Sequence, residues 1–260
     1  MKKGLLALSA ATLFVMTTPV QAKQEICVFD LLGRAGESYK LIEEWKLAAK
    51  NWQGDIELIP YQDEKKAEQD FDAGKCDGVY MTSMRARKYN KFAGSIDAAG
   101  AVTSNAIAQK AISFVLDNRN KHRLTASVGG EKYEVAGIIQ VGLAYIFVRD
   151  KNIDTIEKAK GKKFAYLHYD QAQKTIVESI DLIAVPSDIS NFVKKFNSGQ
   201  VDVIAAPAYA YKPLEISKGM ANGALFNFPV VNITGDLIIK PGKFPTNFGT
   251  QSRQWFINKL

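Results

Sequence analysis

Apolar positions along this chain alternate between stretches that read as strands and stretches with a helical period. Residues 26–30 form a short, nearly continuous apolar run of the kind a buried strand makes, and a glycine-bearing turn follows. Leu41, Ile42, Trp45, Ala48, Ala49 and Trp52 then fall on one face at a period of 3.6. Residues 55–61 predict the next strand, 64–73 the next helix and 76–82 a third strand. This β-α-β-α-β series predicts a parallel sheet. Right-handed crossovers would let its first strand lie between the other two.

Two strand-like runs, 133–140 and 143–148, precede a second unit of the same kind. Gly161-Lys162-Lys163 leads into a strand at 164–167, a helix from about Gln171, a short strand near 182–185, a helix at 189–196 and a strand at 201–205. The stretch 175–185 is less regular than the rest. Phe71, Gly74 and Asp77 in the first unit recur as Phe196, Gly199 and Asp202 in the second. That spacing predicts a helix closed by a left-handed glycine and a strand that opens with Asp. The fold class is therefore α/β, with two similarly built βαβ lobes. Segments 133–148 and 227–239 would cross between them as hinge strands, with Gly142 and Gly235 as flexible points.

The N-terminus sets the expected compartment. Lys2 and Lys3, the apolar stretch 4–16 and Val20-Gln21-Ala22 form the pattern of a secretory leader cut after Ala22, so residues 1–22 are expected to be a signal peptide. A retained membrane anchor is the alternative, but the run is short and interrupted by Thr17, Thr18 and Pro19. No Cys follows the cleavage point, which argues against a lipid anchor, and no later stretch reaches the roughly 20 apolar residues of a span. An exported, periplasmic protein is expected. About 238 residues remain, enough for two lobes: 23–140 with a return segment 235–260, and 141–234.

Cys27 and Cys76 are the two cysteines. In an oxidising compartment an even count favours a bridge between them, closing a loop of about 50 residues and worth about 4 kcal/mol, with free buried thiols as the alternative. The formal charge of +7 falls to +5 without Lys2 and Lys3, and the basic runs at 85–88, 119–123 and 158–163 read as solvated faces. A nucleic-acid surface would need basic residues interleaved with stacking aromatics, so that class is excluded.

In such sheets ligands sit outside the carboxyl ends of the strands, where helix N-termini offer free N–H groups to anions. The segments that reach this place are 30–38, 80–87, 168–173 and 206–211. They contribute flat faces with polar tips in Tyr80, Tyr169, Tyr209 and Tyr211, hydrogen bonds in Thr82, Ser83 and Gln171, and charge in Arg34, Arg85 and Arg87. A tyrosine at such a place also serves to pack on a strand end, and an arginine to face water. No nucleophile elbow, phosphate-cradling loop or metal-spaced cluster accompanies the two histidines, His122 and His168, so no cofactor or metal is expected and an exported hydrolase is a remote alternative.

The runs DTIEKAKGKK at 154–163 and FNSGQVD at 196–202 resemble signatures of type II periplasmic solute-binding proteins, the binding subunits of tripartite ATP-independent periplasmic (TRAP) transporters. More closely, CVFDLLG at 27–33, IPYQD at 59–63, GKCDGVYMTSM at 74–84, DQAQK at 170–174 and PAYAYKPLE at 207–215 resemble the AdeT-type proteins. The resemblance implies a binding protein that closes on a small solute and hands it to a membrane transporter. AdeT-type proteins also carry the name of a resistance-nodulation-division efflux component linked to aminoglycoside resistance, so a periplasmic accessory of an efflux system is the competing expectation. TRAP binding subunits follow the Lys-Gly junction with a strand whose arginine pairs with a substrate carboxylate; here the matching run is Lys163-Phe164-Ala165-Tyr166, with Ala165 in the arginine's place. The resemblance also implies bracing helices beyond 251–260, so the C-terminal bracing is expected to be truncated.

Overall fold

Nine strands, counted among the described residues, join into one sheet on which both lobes are built. The computed structural model describes residues 23–260, so the expected leader lies outside the described residues. The strands are β1 (Gln24–Phe29), β2 (Ile56–Tyr61), β3 (Gly78–Thr82), β4 (Thr125–Val128), β5 (Glu131–Val148), β6 (Lys163–Leu167), β7 (Ile183–Ser187), β8 (Val203–Pro207) and β9 (Ala224–Ile239). The α-helices are α1 (Glu37–Ala49), α2 (Glu64–Asp72), α3 (Ser83–Ala86), α4 (Asn105–Leu116), α5 (Ile156–Ala159), α6 (Gln171–Ser179), α7 (Phe192–Asn197) and α8 (Phe248–Ile257). The strand order is β2-β1-β3-β9-β5-β8-β6-β7, with β4 paired to β5. β1 lies between β2 and β3 and is parallel to both, the order expected from the sequence.

The predicted runs 133–140 and 143–148 are one 18-residue strand, β5. Register shifts between Gln140 and Gly142 and again near Tyr145 bend it against β9, which is why the sequence read it as two pieces. β5 and β9 cross together from one lobe to the other: Glu134 faces Ile239 at one end and Val148 faces Ala224 at the other. Gly142 has a φ of 150° at one of these shifts. Gly235 has a different role, because a Cβ there would come within 2.1 Å of the Tyr80 hydroxyl oxygen. It is the floor on which Tyr80 lies.

Each lobe has its own core. In lobe 1, Ile26, Ile42, Trp45, Phe71, Met81, Phe248 and Phe256 pack around β1, β3 and the first half of β5. In lobe 2, Phe147, Phe196, Val201 and Ile204 fill one face of the sheet, while Phe164, Val177, Leu182 and Val203 fill the other. The repeated Phe-Gly-Asp junction takes the same form in both, with Gly74 at φ 76° and Gly199 at φ 77° after their helices. Cys27 and Cys76 are disulfide-bonded with 5.9 Å between Cα atoms; Cys76 lies two residues before β3 rather than within it. α8 closes lobe 1. Ser252 Oγ accepts from Trp45 Nε1 at 2.8 Å and donates to the Ala136 carbonyl at 2.6 Å, while Arg253 Nη1 donates to Glu134 at 2.6 Å.

Candidate functional site

The four strand-end segments meet around one cavity of about 460 Å³ between the lobes. That is within the range of small-molecule sites. Its lobe 1 wall comes from Phe29, Asp30, Leu31, the first turn of α1 at Glu37 and Ser38, and from Tyr80, Thr82 and Met84. Ala165, Leu167, Gln173, Ile189, Phe192, Tyr209 and Leu214 form the facing wall. The crossing strands supply the floor through Ile139, Gln140, Val141, Ala144, Val231, Ile233 and Gly235. Val231, Ile233 and Gly235 are two apart, so one face of β9 serves the cavity.

The polar end of the cavity is acidic. Asp30 accepts the backbone N–H of Leu32 at 2.9 Å and of Tyr39 at 3.3 Å, so its carboxylate caps α1 from the strand before it. Gly36 is required beside it, since a Cβ would lie 1.8 Å from an Asp30 oxygen. Tyr80 donates its hydroxyl to Ser38 Oγ at 3.1 Å. Burial raises the Tyr80 pKa above its usual value; the Ser38 hydrogen bond works against that, and the charges of Tyr209 and Asp30 add to it. Tyr209 is half-exposed, and partial desolvation of its phenol and then the charges of Asp30 and Glu37 push its pKa up to about 12. No Lys, Arg or His is among the described residues that line the cavity.

Beside the cavity the lobes are joined by a second set of groups. Glu64, at the start of α2, is buried and takes four donors: Thr82 N at 2.8 Å, Thr82 Oγ1 at 2.5 Å, Arg85 Nε at 3.0 Å and, from the other lobe, the Tyr169 hydroxyl at 3.0 Å. Burial raises the Glu64 pKa, with the Thr82 and Arg85 hydrogen bonds and the Arg85 charge working against it. Arg85 also pairs with Glu68 at 2.6 Å, reaches Asp188 of lobe 2 at 3.6 Å and lies over the Tyr169 ring. Arg87 Nη1 pairs with Asp170 at 3.2 Å, a third link between the lobes. Thr82 belongs to both groups: it lines the cavity and holds the Glu64 carboxylate.

The reverse face of the hinge strands is polar and buried. Asn232, Thr234 and Asp236 alternate with the cavity-facing residues of β9, and all three are fully buried. Asp97 takes the Thr234 N–H at 3.4 Å and its hydroxyl at 3.1 Å. Burial first, opposed by those hydrogen bonds and the Arg87 charge, pushes Asp97 up to about 7. Burial and then the charge of Asp97 raise Asp236 well above the usual carboxylate range.

Of the residues read from sequence, Tyr80, Thr82 and Tyr209 line the cavity, as does Ala165. Arg85 and Tyr169 lie in the inter-lobe junction instead. Arg34 is exposed and leans on the Tyr39 ring at 5.8 Å; Ser83 is buried at the start of α3; Gln171 is exposed and contacts the His168 carbonyl; Tyr211 stacks on Phe147. His168 contacts the Ser187 carbonyl through Nδ1 at 3.1 Å at the end of its strand. Asp30, Glu37 and Gln173 fall within segments 30–38 and 168–173, which the sequence places at the cleft without singling out these side chains; the β9 face was not anticipated as lining. The period-2 spacing of Val231, Ile233 and Gly235 was a usable signal. Among the described residues no group of three or more His, Cys, Asp or Glu side chains is placed to hold a metal. No helix among them is long and apolar enough to cross a membrane.

This architecture is that of the TRAP periplasmic solute-binding proteins. The Pseudomonas aeruginosa member with bound L-malate matches with a TM-score of 0.71 at 11% identity, covering 91% of this chain and 82% of the other. The Desulfovibrio salexigens member with bound orotic acid matches with a TM-score of 0.68 at 15% identity, covering 91% and 76%. Residues 42–259 match the family described as solute-binding protein AdeT 1/2, and the chain belongs to that family. The probable solute-binding protein AdeT1 of Acinetobacter baumannii is 38% identical over 234 residues, 90% of this chain and 76% of the relative. AdeT2 of the same organism is 28% identical over 165 residues, 63% of this chain and 68% of the relative.

Proposed function

We propose that this chain is a periplasmic solute-binding protein that captures a small organic molecule by closure of its two lobes and presents the closed form to a membrane transporter. The observation that carries the reading is the cavity whose walls come from both lobes and whose floor is the pair of strands that cross between them. A ligand that touches both walls favours the closed arrangement by its differential affinity for that state, and by no more. The fold neighbours with bound orotic acid and L-malate support small-molecule capture, and the leader-like residues 1–22 support export.

The moving units are 23–140 with 235–260, and 141–234. Tyr80, Thr82 and Tyr209 contact the solute. The Glu64–Arg85–Tyr169–Asp188 junction and the Arg87–Asp170 pair form at closure and hold the lobes together, so Thr82 reports cavity occupancy to the junction.

Native mass spectrometry of protein purified gently from the periplasm tests the reading. A stoichiometric small molecule, released and identified on denaturation, is the expected result. A folded protein that carries none and copurifies with an efflux assembly would replace capture with the accessory role.

A further inference from the structure

The proposal concerns the chemistry of the ligand and rests on the capture reading above. Three places around the cleft where an anion could be received already hold a carboxylate of the protein. The N-terminus of α1 is capped by Asp30 through the N–H of Tyr39. The Thr82 N–H at the start of α3 is held by Glu64. The N-terminus of α6 is capped by Asp170 through the N–H groups of Ala172 and Gln173. Helix N-termini bind anions because their first N–H groups lack partners, and here a carboxylate of the protein takes one of them at α1 and two at α6.

The cations tell the same story. Arg85 is paired with Glu64, Glu68 and, at 3.6 Å through an Nη2 that makes no hydrogen bond, Asp188; Arg87 is paired with Asp170; and neither arginine lines the cavity. Ala165 puts a methyl group in the cavity wall. A carboxylate ligand would therefore lose its water in a cavity that offers no cation and would face Asp30 and Glu37, a desolvation without compensation. The same two carboxylates, with the Tyr80 and Tyr209 rings, suit a hydrogen-bond donor or a cation.

The other walls set the body of the ligand. Leu41, Ile139, Ile189, Phe192, Leu214 and Val231 are hydrocarbon or aromatic surfaces. A strongly hydrated, multiply charged sugar would have to shed its water against them with few partners in return.

We infer that the ligand is a hydrophobic organic molecule with an amine, or failing a charge a hydroxyl, at one end, and not a carboxylic acid. The amine end lies toward Asp30, Glu37 and Tyr80, and the hydrocarbon body lies along the crossing strands and the lobe 2 wall.

The test is a matched series on one body, measured by calorimetry with the mature protein: 2-(1-naphthyl)ethylamine, 2-(1-naphthyl)ethanol and 1-naphthylacetate, with kanamycin as the hydrated polycation. The amine is expected to bind at least about tenfold more tightly than the acetate, with the alcohol between them and kanamycin without effect; each tenfold step corresponds to about 1.4 kcal/mol. Asp30→Asn, which keeps an acceptor for the α1 cap, is expected to narrow the gap between amine and alcohol. Ala165→Arg is expected to reverse the preference toward the acetate. Acetate binding as tightly as the amine, or an organic acid released from the periplasmic protein, overturns this inference and leaves capture standing. So does an Ala165→Arg protein that melts like the wild type yet gains no affinity for the acetate. No binding by any probe, together with no molecule released from the periplasmic protein, overturns capture and the ligand class together.

Discussion

The guanidinium carbon of Arg85 lies 3.8 Å from the centroid of the Tyr169 ring, and the two residues belong to opposite lobes. Both also hold the same buried carboxylate, Glu64 Oε2, at 3.0 Å each. An arginine that looks free in the sequence is thereby committed to the junction and does not line the cavity. Arg85→Ala leaves Glu64 buried without its cation and is expected to cost about 3–5 kcal/mol in denaturant unfolding. A loss below about 1 kcal/mol would show that the pair contributes nothing to the fold.

Tyr169→Phe separates the junction from the fold. It removes one hydrogen bond to a buried carboxylate, worth about 1.5–3 kcal/mol, and keeps the ring over Arg85. Because Tyr169 and Glu64 meet only where the lobes meet, the loss is expected in the balance between closed and open forms, read as weaker ligand affinity with a nearly unchanged melting temperature of the empty protein. Equal losses in both would make Tyr169 an ordinary packing residue.

The disulfide ties the middle of β1 to the approach to β3, with both cysteines buried and 49 residues apart. On the chain-entropy model, the Cys27→Ala, Cys76→Ala double variant loses about 4 kcal/mol. Equilibrium unfolding with and without reductant measures it, and the reduced wild type is expected to fall in step with the double variant.

Asp97 gives a pH dependence of unusual sign. Its folded pKa, about 7, is above the 3.8 of the free side chain, so the folded protein holds a proton there that the unfolded chain releases. Stability from this group is full below about pH 4 and declines as pH rises toward 7. Asp236 pushes the same way because burial and the neighbouring Asp97 raise its pKa too. Asp97→Asn is expected to flatten the fall in unfolding free energy between pH 4 and 7. An unchanged slope would place the titration elsewhere.

Gly235→Ala tests how tightly the cavity floor is built. The added methyl group would meet the Tyr80 hydroxyl at 2.1 Å, and Tyr80 is held on its other side by Ser38. The ring must tilt into the cavity, so ligand affinity is expected to fall more than about tenfold. Wild-type affinity would show that Tyr80 does not shape the site.

Most of the fold was legible because its signals are local. The period-2 and period-3.6 runs gave β1, α1, β2, α2 and β3, and the paired Phe-Gly-Asp junctions gave the second lobe. The helix α4 and the short strand β4 were not anticipated: residues 105–116 carry an apolar stripe at Ala108, Ile112 and Val115 that went unread, and the four residues 125–128 are too few to show a period. The site was legible as four segments but not as side chains. Tyr80, Thr82 and Tyr209 reach the cavity, whereas Arg85 and Tyr169 answer to Glu64, a residue far from both in sequence, and only tertiary packing shows that a carboxylate is waiting there.

Closure on a solute changes the overall size of the protein, which small-angle X-ray scattering reads. Protein stripped of its ligand by unfolding and refolding with the disulfide intact would be compared with the same protein after the released molecule is returned. A smaller radius of gyration is expected with ligand, and a smaller change in Tyr169→Phe. An identical radius with and without a tightly bound molecule would contradict hinged capture.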